Sequence, residues 1–200
     1  VLDQWFRDAK FFTEYERFDR HLEKLRRRTE EERLHYLSIC SPNYLHDAHV
    51  RLALRLGADA ICEKPLVINP WNLDQLAELE AESEGRVYTV LQLRLLPSLI
   101  ALREKTLALK EPADEAKSGG LPTNIGIHFF DLLQWLFGPT RENEVHLAEP
   151  DRWSGFLGLE RANVRWLLST RYEDLPEASL RAGQPAFRSI TMDGDEIEFS

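Results

Sequence analysis

Tyr36-Leu37-Ser38-Ile39-Cys40 and Asp59-Ala60-Ile61-Cys62 are two short β-like runs, joined by the polar turn Ser41-Pro42-Asn43, a helical pattern from Tyr44 to Leu56, and Gly57. Strand, polar turn, helix and strand make a βαβ unit, whose strands lie parallel and whose crossover is right-handed. Gly57 suits the left-handed residue that stops the helix. The second strand runs directly into Glu63-Lys64-Pro65. A lysine therefore stands at the carboxyl end of a parallel strand, just before a residue that cannot continue a helix. Open α/β sheets bind ligands at that edge, where an ammonium can hydrogen-bond a hydroxyl and help move its proton. The alternative for Lys64 is an ordinary exposed loop lysine.

Working outward, Phe11 to Arg27 has the apolar spacing of an amphipathic helix, with Phe18, Leu22 and Leu25 on one face. The charge run Lys24 to Glu32 is its solvated end and the following loop. Asn69-Pro70 opens another helix, with Asn69 as cap and Pro70 in its first position, which runs through Leu73, Leu76 and Leu79 to a stop near Gly85. Arg86 to Gln92 reads as the next strand. Residues 1–93 thus form a partial dinucleotide-binding, Rossmann-like domain. From Arg94 the grammar changes to a helix from Pro97 to about Leu109, a polar stretch, and a helix from Asn124 to Phe137. Strand-like patterning follows at Glu144–Glu149, Trp153–Glu160, Ala162–Thr170 and Ser189–Phe199, the last with the hairpin signal Asp193-Gly194. Residues 94–200 form an α+β domain with a mostly antiparallel sheet. The expected fold class is α/β, a partial Rossmann-like parallel-sheet domain followed by that second domain.

Composition narrows the function. The 200 residues are 43% apolar, with five Trp and ten Phe, enough for packed cores. Twenty-five basic against thirty-four acidic residues leave a net charge of −9, and no basic stripe is interleaved with aromatics. Nucleic acid and anionic membrane are poor partners for such a surface. No run approaches the roughly eighteen apolar residues of a membrane span, and Val1 to Asp8 lacks the features of a signal peptide. A cytoplasmic location is the expectation, with Cys40 and Cys62 as reduced core thiols.

Several residues could carry chemistry. Asn124, His128 and Asp131 recur at i, i+4 and i+7, placing a polar stripe on a helix otherwise covered by Phe129, Leu132, Leu133 and Leu136. Such side chains need partners or a polar pocket, because each left unbonded would cost about 1–3 kcal/mol. The stripe is either a ligand face or a satisfied core histidine with Asn124 as helix cap. Ser41-Pro42-Asn43 either caps a helix or presents small polar groups and backbone donors to a ligand. Gln92 and Arg94 close the run that follows Arg86, and Arg94 either binds an anionic group or lies on the surface at the domain junction. His46 and His49 have metal-compatible spacing, but no cysteine or carboxylate completes a ligand set, so no metal is expected.

These stretches, Ser38-Ile39-Cys40-Ser41-Pro42-Asn43-Tyr44-Leu45-His46, Cys62-Glu63-Lys64-Pro65 and Asn124-Ile125-Gly126-Ile127-His128-Phe129-Phe130-Asp131, resemble in order the motifs of the Gfo/Idh/MocA oxidoreductases, which use NAD(P). Leu91-Gln92-Leu93-Arg94, Thr123-Asn124-Ile125-Gly126 and Arg188-Ser189-Ile190-Thr191 are similar to the branch that oxidises the 3-position of a UDP-linked N-acetylated sugar acid for surface polysaccharide (O-antigen). Asn124 stands where much of the wider family has aspartate, as in that branch. The resemblance implies that Lys64 lies near the nicotinamide and His128 beside the carbon that loses hydride, the two converging as catalytic groups. It implies that Asn124, Asp131 and Arg94 serve the substrate. Ser41, Pro42, Asn43, His46, Glu63 and Gln92 would join Lys64 on the cofactor side. NAD is the implied cofactor, with NADP open, and a nucleotide-sugar and a homo-oligomer are the implied partners.

Two departures stand beside the resemblance. The glycine-rich turn that cradles a pyrophosphate is nowhere in the 200 residues, and only Glu111-Pro112-Ala113 stands where the family has a longer segment over the substrate. The chain therefore reads as a partial one. A catalytically silent scaffold, or an enzyme acting on a free sugar or inositol, are the rival readings.

Overall fold

The computed structural model describes residues 8–108, 113–120, 126–183, 187–192 and 194–198. The chain divides into two compact units, Val1–Val90 and Leu91–Ser200.

In the first unit, helix α1 (Tyr15–Arg26) precedes strand β1 (Tyr36–Ile39), a 3-10 turn (Asn43–Leu45), helix α2 (His46–Arg55), strand β2 (Asp59–Glu63), helix α3 (Asn72–Glu82) and strand β3 (Val87–Val90). The sheet order is β1-β2-β3, all parallel, with Ile39 opposite Cys62 and Glu63 opposite Val90. Buried residues alternate along the strands, so Ile39, Ala60 and Cys62 pack with Val50, Ala53 and Leu54 of α2 and Leu76 of α3. A second cluster joins Leu22 of α1 to Leu52, Leu56 and Ala58. Helix α1 is shorter than its apolar pattern suggests. Glu14 is extended, and Phe12 folds back to pack its ring 5.7 Å from Phe18 and 5.1 Å from His21.

Helix ends follow local chemistry. Gly57, at φ 72°, ends α2 in the left-handed region that glycine enters at no steric penalty. At the start of α3, Asn69 Oδ1 accepts from the Trp71 N–H at 3.1 Å while the Asn72 N–H reaches Asn69 O at 3.2 Å. The cap expected at Asn69 thus holds a tight first turn, with regular helix from Asn72.

The second unit starts with a 3-10 turn (Gln92–Leu95) where the sequence suggests the end of a strand. Helix α4 (Pro97–Ala108), strand β4 (Ala113–Gly120), helix α5 (Gly126–Phe137) and strands β5 (Thr140–Glu149), β6 (Arg152–Leu159) and β7 (Ala162–Ser169) follow. A 3-10 turn (Tyr172–Asp174), helix α6 (Glu177–Ala182) and strands β8 (Ser189–Met192) and β9 (Asp195–Glu198) come next. The sheet order is β5-β6-β7-β4-β8-β9, antiparallel except for the parallel β4–β7 pair. β4 corrects the expectation of a polar connection there: Asp114 to Gly120 has weak β-propensity, yet its backbone pairs on both edges. The core joins Leu99 and Leu102 of α4, Phe129, Leu132, Leu133, Leu136 and Phe137 of α5, and Val164, Trp166 and Leu168 of β7. Burying each such side chain contributes about 1.5–3 kcal/mol. Helices α4 and α5 are also clamped by polar contacts. Thr106 Oγ1 donates to Leu136 O at 3.1 Å, and the Arg103 guanidinium lies 4.6 Å above the Trp135 ring.

At Gly85 the backbone runs close against that of Ala58. A Cβ there would meet Ala58 O at 2.1 Å, and Ser83, which accepts the Gly85 N–H, donates to Leu54 O at 2.8 Å. We expect Gly85→Ala to lower stability by about 1–3 kcal/mol through overpacking. Urea denaturation checks this: the midpoint falls while the slope is retained.

Candidate functional site

The parallel register places the ends of β1 and β2 level, so the turns at Cys40–Asn43 and Lys64–Pro65 leave the sheet on one edge. Along that edge Ser41, Glu63, Lys64 and Pro65 are half-buried, and Pro42 and Asn43 are exposed. The Lys64–Pro65 peptide is cis. The two thiols differ from the sequence expectation of a matched core pair. Both are free, but only Cys62 is buried, and Cys40 is exposed with its Sγ 3.7 Å from Ser38 Oγ. Burial, with smaller contributions from Glu63 and Cys40, pushes the Cys62 thiol up to about 11. It is an inert packing group under the edge.

The two histidines of α2 point to different partners. His46 is fully buried, with Nδ1 2.7 Å from Pro65 O and Nε2 2.8 Å from Ser41 O. For this expected cofactor contact the structure shows both ring nitrogens facing backbone carbonyls and the side chain enclosed. His49 lies nearer the rim. Its Nδ1 is 2.9 Å from Ser41 Oγ, and its ring stacks on Tyr15 at 5.6 Å. A cavity of about 440 Å³ opens there, lined by Lys10, Thr13, Tyr15, Ser38, Ser41 and His49 among others. Sequence reasoning weighed His49 only as a metal ligand. Its signal was its place one turn beyond the Ser-Pro-Asn turn, where a side chain can reach back to a hydroxyl.

In the second unit, His128 and Asp131 lie half-buried on α5, one turn apart, while Phe129, Leu132 and Leu133 go to the core. The Nδ1 atom of His128 is sealed from solvent. Asp131 takes a bidentate pair from Arg94, with Nε donating to Oδ2 at 2.8 Å and Nη2 donating to Oδ1. The planar fork matches the carboxylate, so Arg94 ties the 3-10 turn to the helix. The structure brings these two expected substrate contacts together as partners of each other. Gln92 is exposed on that turn, and Asn124 lies outside the described residues.

Comparison with known proteins places this geometry. Residues 1–91 match the Gfo/Idh/MocA oxidoreductase family's NAD-binding Rossmann fold, and residues 108–190 match its C-terminal alpha/beta domain. The WlbA (WbpB) dehydrogenase of Thermus thermophilus, crystallised with NAD and alpha-ketoglutarate, is 47% identical, with a TM-score of 0.89 over 100% of this chain and 70% of that one.

The chain belongs to the Gfo/Idh/MocA family.

The same Thermus thermophilus enzyme with NAD and UDP-GlcNAcA gives 46% identity and a TM-score of 0.87 over 100% of this chain and 71% of that one. Glucose-6-phosphate 3-dehydrogenase of Bacillus subtilis is 27% identical over 50% of this chain, and the match covers 36% of its own length. Against curated relatives the chain spans well under half, 15% of one and 36% of another. Among the described residues no helix is long and apolar enough to cross a membrane. The hydroxyl of Ser41, the amide of Asn43 and the side chains of Glu63 and Lys64, all with some exposure, set hydrogen-bond donors and acceptors along this edge, a chemistry compatible with a dinucleotide.

Burial, assisted by the neighbouring His46, holds His49 below its ordinary value of 6.5. The folded state therefore binds this proton less readily than the unfolded chain. The stability that follows is fully present above 6.5 and is lost as pH falls through the lowered folded value. We expect His49→Gln to make the decline in stability between about pH 7 and pH 5 shallower than in the unsubstituted protein. Urea midpoints measured across that range check it; parallel curves would count against it.

Proposed function

We propose that the protein is an NAD-dependent dehydrogenase that oxidises the C3 hydroxyl of a UDP-linked N-acetylated sugar acid, in the building of surface polysaccharide such as O-antigen. The observation that carries this reading is the 46–47% identity, extending over 100% of the chain, to a dehydrogenase crystallised with NAD and with UDP-GlcNAcA. A cytoplasmic homo-oligomer is part of the same proposal.

Bound NAD supplies the hydride acceptor. The chain's own residues do the rest. Lys64 and His128 are the catalytic pair. His128 takes the hydroxyl proton as the C3 hydride leaves, and the Lys64 ammonium offsets the charge that develops on the oxygen. Ser41, Asn43, Glu63 and Gln92 line the cofactor side, with Pro42 and Pro65 shaping the turns. Asn124 holds a substrate hydroxyl. Arg94 and Asp131 serve the substrate by holding the His128 helix through their ion pair. That role is supported by geometry, since each group's hydrogen-bonding edge is already matched to the other.

In the whole protein, Lys64→Ala and His128→Ala should each lower kcat for UDP-GlcNAcA by at least about a hundredfold, with NAD affinity largely retained. Stopped-flow NADH formation and calorimetric NAD titration check both. Near-normal turnover in the two variants would remove them from the chemistry. A panel of UDP-GlcNAcA, glucose 6-phosphate, glucose and inositol tests the substrate, and turnover of the last three alone would overturn the nucleotide-sugar assignment.

A further inference from the structure

His46 is the first residue of α2, and its imidazole lies between the two turns that form the ligand edge of the first unit. On one side is Ser41 O, on the turn that leaves β1; on the other is Pro65 O, directly after Lys64. A carbonyl oxygen only accepts, so each contact is a hydrogen bond only when the ring nitrogen facing it carries a proton. With the two nitrogens 2.7 and 2.8 Å from carbonyls and the ring fully buried, no water is there to substitute. For both contacts to be hydrogen bonds, the two ring protons must be present together.

We propose that His46 is a positioning residue that, by donating from both ring nitrogens, staples the turn after β1 to the turn after β2 and so fixes the backbone that carries Lys64. The inference rests on the catalytic reading of Lys64 given above. Lys64 is then restrained from both sides. Before it, Glu63 is held in the ladder opposite Val90; after it, the Pro65 carbonyl is held by His46. Ser41 is doubly restrained as well, its carbonyl by His46 Nε2 and its hydroxyl by His49 Nδ1. The amide of a glutamine in its place presents one donor nitrogen and one acceptor oxygen, so it satisfies at most one of the two carbonyls.

The test uses the whole protein in three parts. In the unsubstituted enzyme with 15N-labelled imidazoles, NMR at pH 7 should show protons on both His46 ring nitrogens; one bare nitrogen overturns the proposal. His46→Phe, which keeps a ring of similar bulk without donors, should lower kcat for UDP-GlcNAcA by about 10–100-fold with NAD affinity within about threefold, the loss that misaligned groups produce. His46→Gln should recover part of that loss, and unchanged kcat in both variants overturns the proposal even if their melting temperatures fall. Should the variants not fold, the NMR result decides. If the unsubstituted protein fails to oxidise UDP-GlcNAcA while both nitrogens carry protons, the functional reading fails and the staple stands.

Discussion

The level, parallel pairing of β1 with β2 is the constraint on which the first unit depends. Pairing from Tyr36 opposite Asp59 to Ile39 opposite Cys62 brings two strand ends that are distant in sequence to one edge. A parallel pair requires a crossover, and α2 is that crossover, laid over the sheet by Val50, Ala53 and Leu54. Its first turn therefore sits beside both strand ends. A residue there is within reach of both turns, and His46 has that place. The register would have no chemical meaning if it were shifted, because a slip of one residue would turn Cys62 outward and bury Ile61 in its stead.

In the second unit a single helix carries an apolar face and a polar one. The 3.6-residue period sends Phe129, Leu132, Leu133 and Leu136 to the core and leaves His128 and Asp131 on the remaining stripe. The apolar side fixes the height of the helix on the sheet, with Phe130 meeting Trp166 edge-on at 5.2 Å. Rotation about its own axis is opposed by the Arg94 fork. Exposed surface pairs contribute little, but this one is half-buried and bidentate, with Asp131 the more enclosed partner. The ion pair is thus an orienting device for the residue one turn before Asp131.

Much of this was legible in the chain because local pattern and tertiary role coincide. Apolar runs ending in Ser-Pro-Asn and Glu-Lys-Pro announced the βαβ unit, and the His128–Asp131 stripe stood out against an apolar helix. β4 was not legible. It is a strand by virtue of β7 and β8 on its two edges, residues far along the chain, and its own polar sequence carries no period-2 signal. The strand expected from Arg86 to Gln92 ends instead at Val90, because Gln92–Leu95 turn in a 3-10 helix that packs Leu93 against the core. Cys40, at the end of an apolar run, is exposed because β1 stops at Ile39 and the chain has already turned.

The histidine pair of α2 shows where sequence spacing stops being informative. Residues at i and i+3 on a helix lie on the same general face, so spacing alone does not tell His46 from His49. The structure separates them by depth. His46, in the first turn, is beneath the edge, where the available partners are backbone carbonyls that accept only. His49, one turn on, meets a hydroxyl that can donate or accept, beside a tyrosine ring. A partner that only accepts fixes the proton on the nitrogen; a partner that can do either leaves it mobile. The first histidine is therefore suited to holding backbone in place and the second to responding to its surroundings. Neither assignment follows from residue type, only from what each ring nitrogen faces.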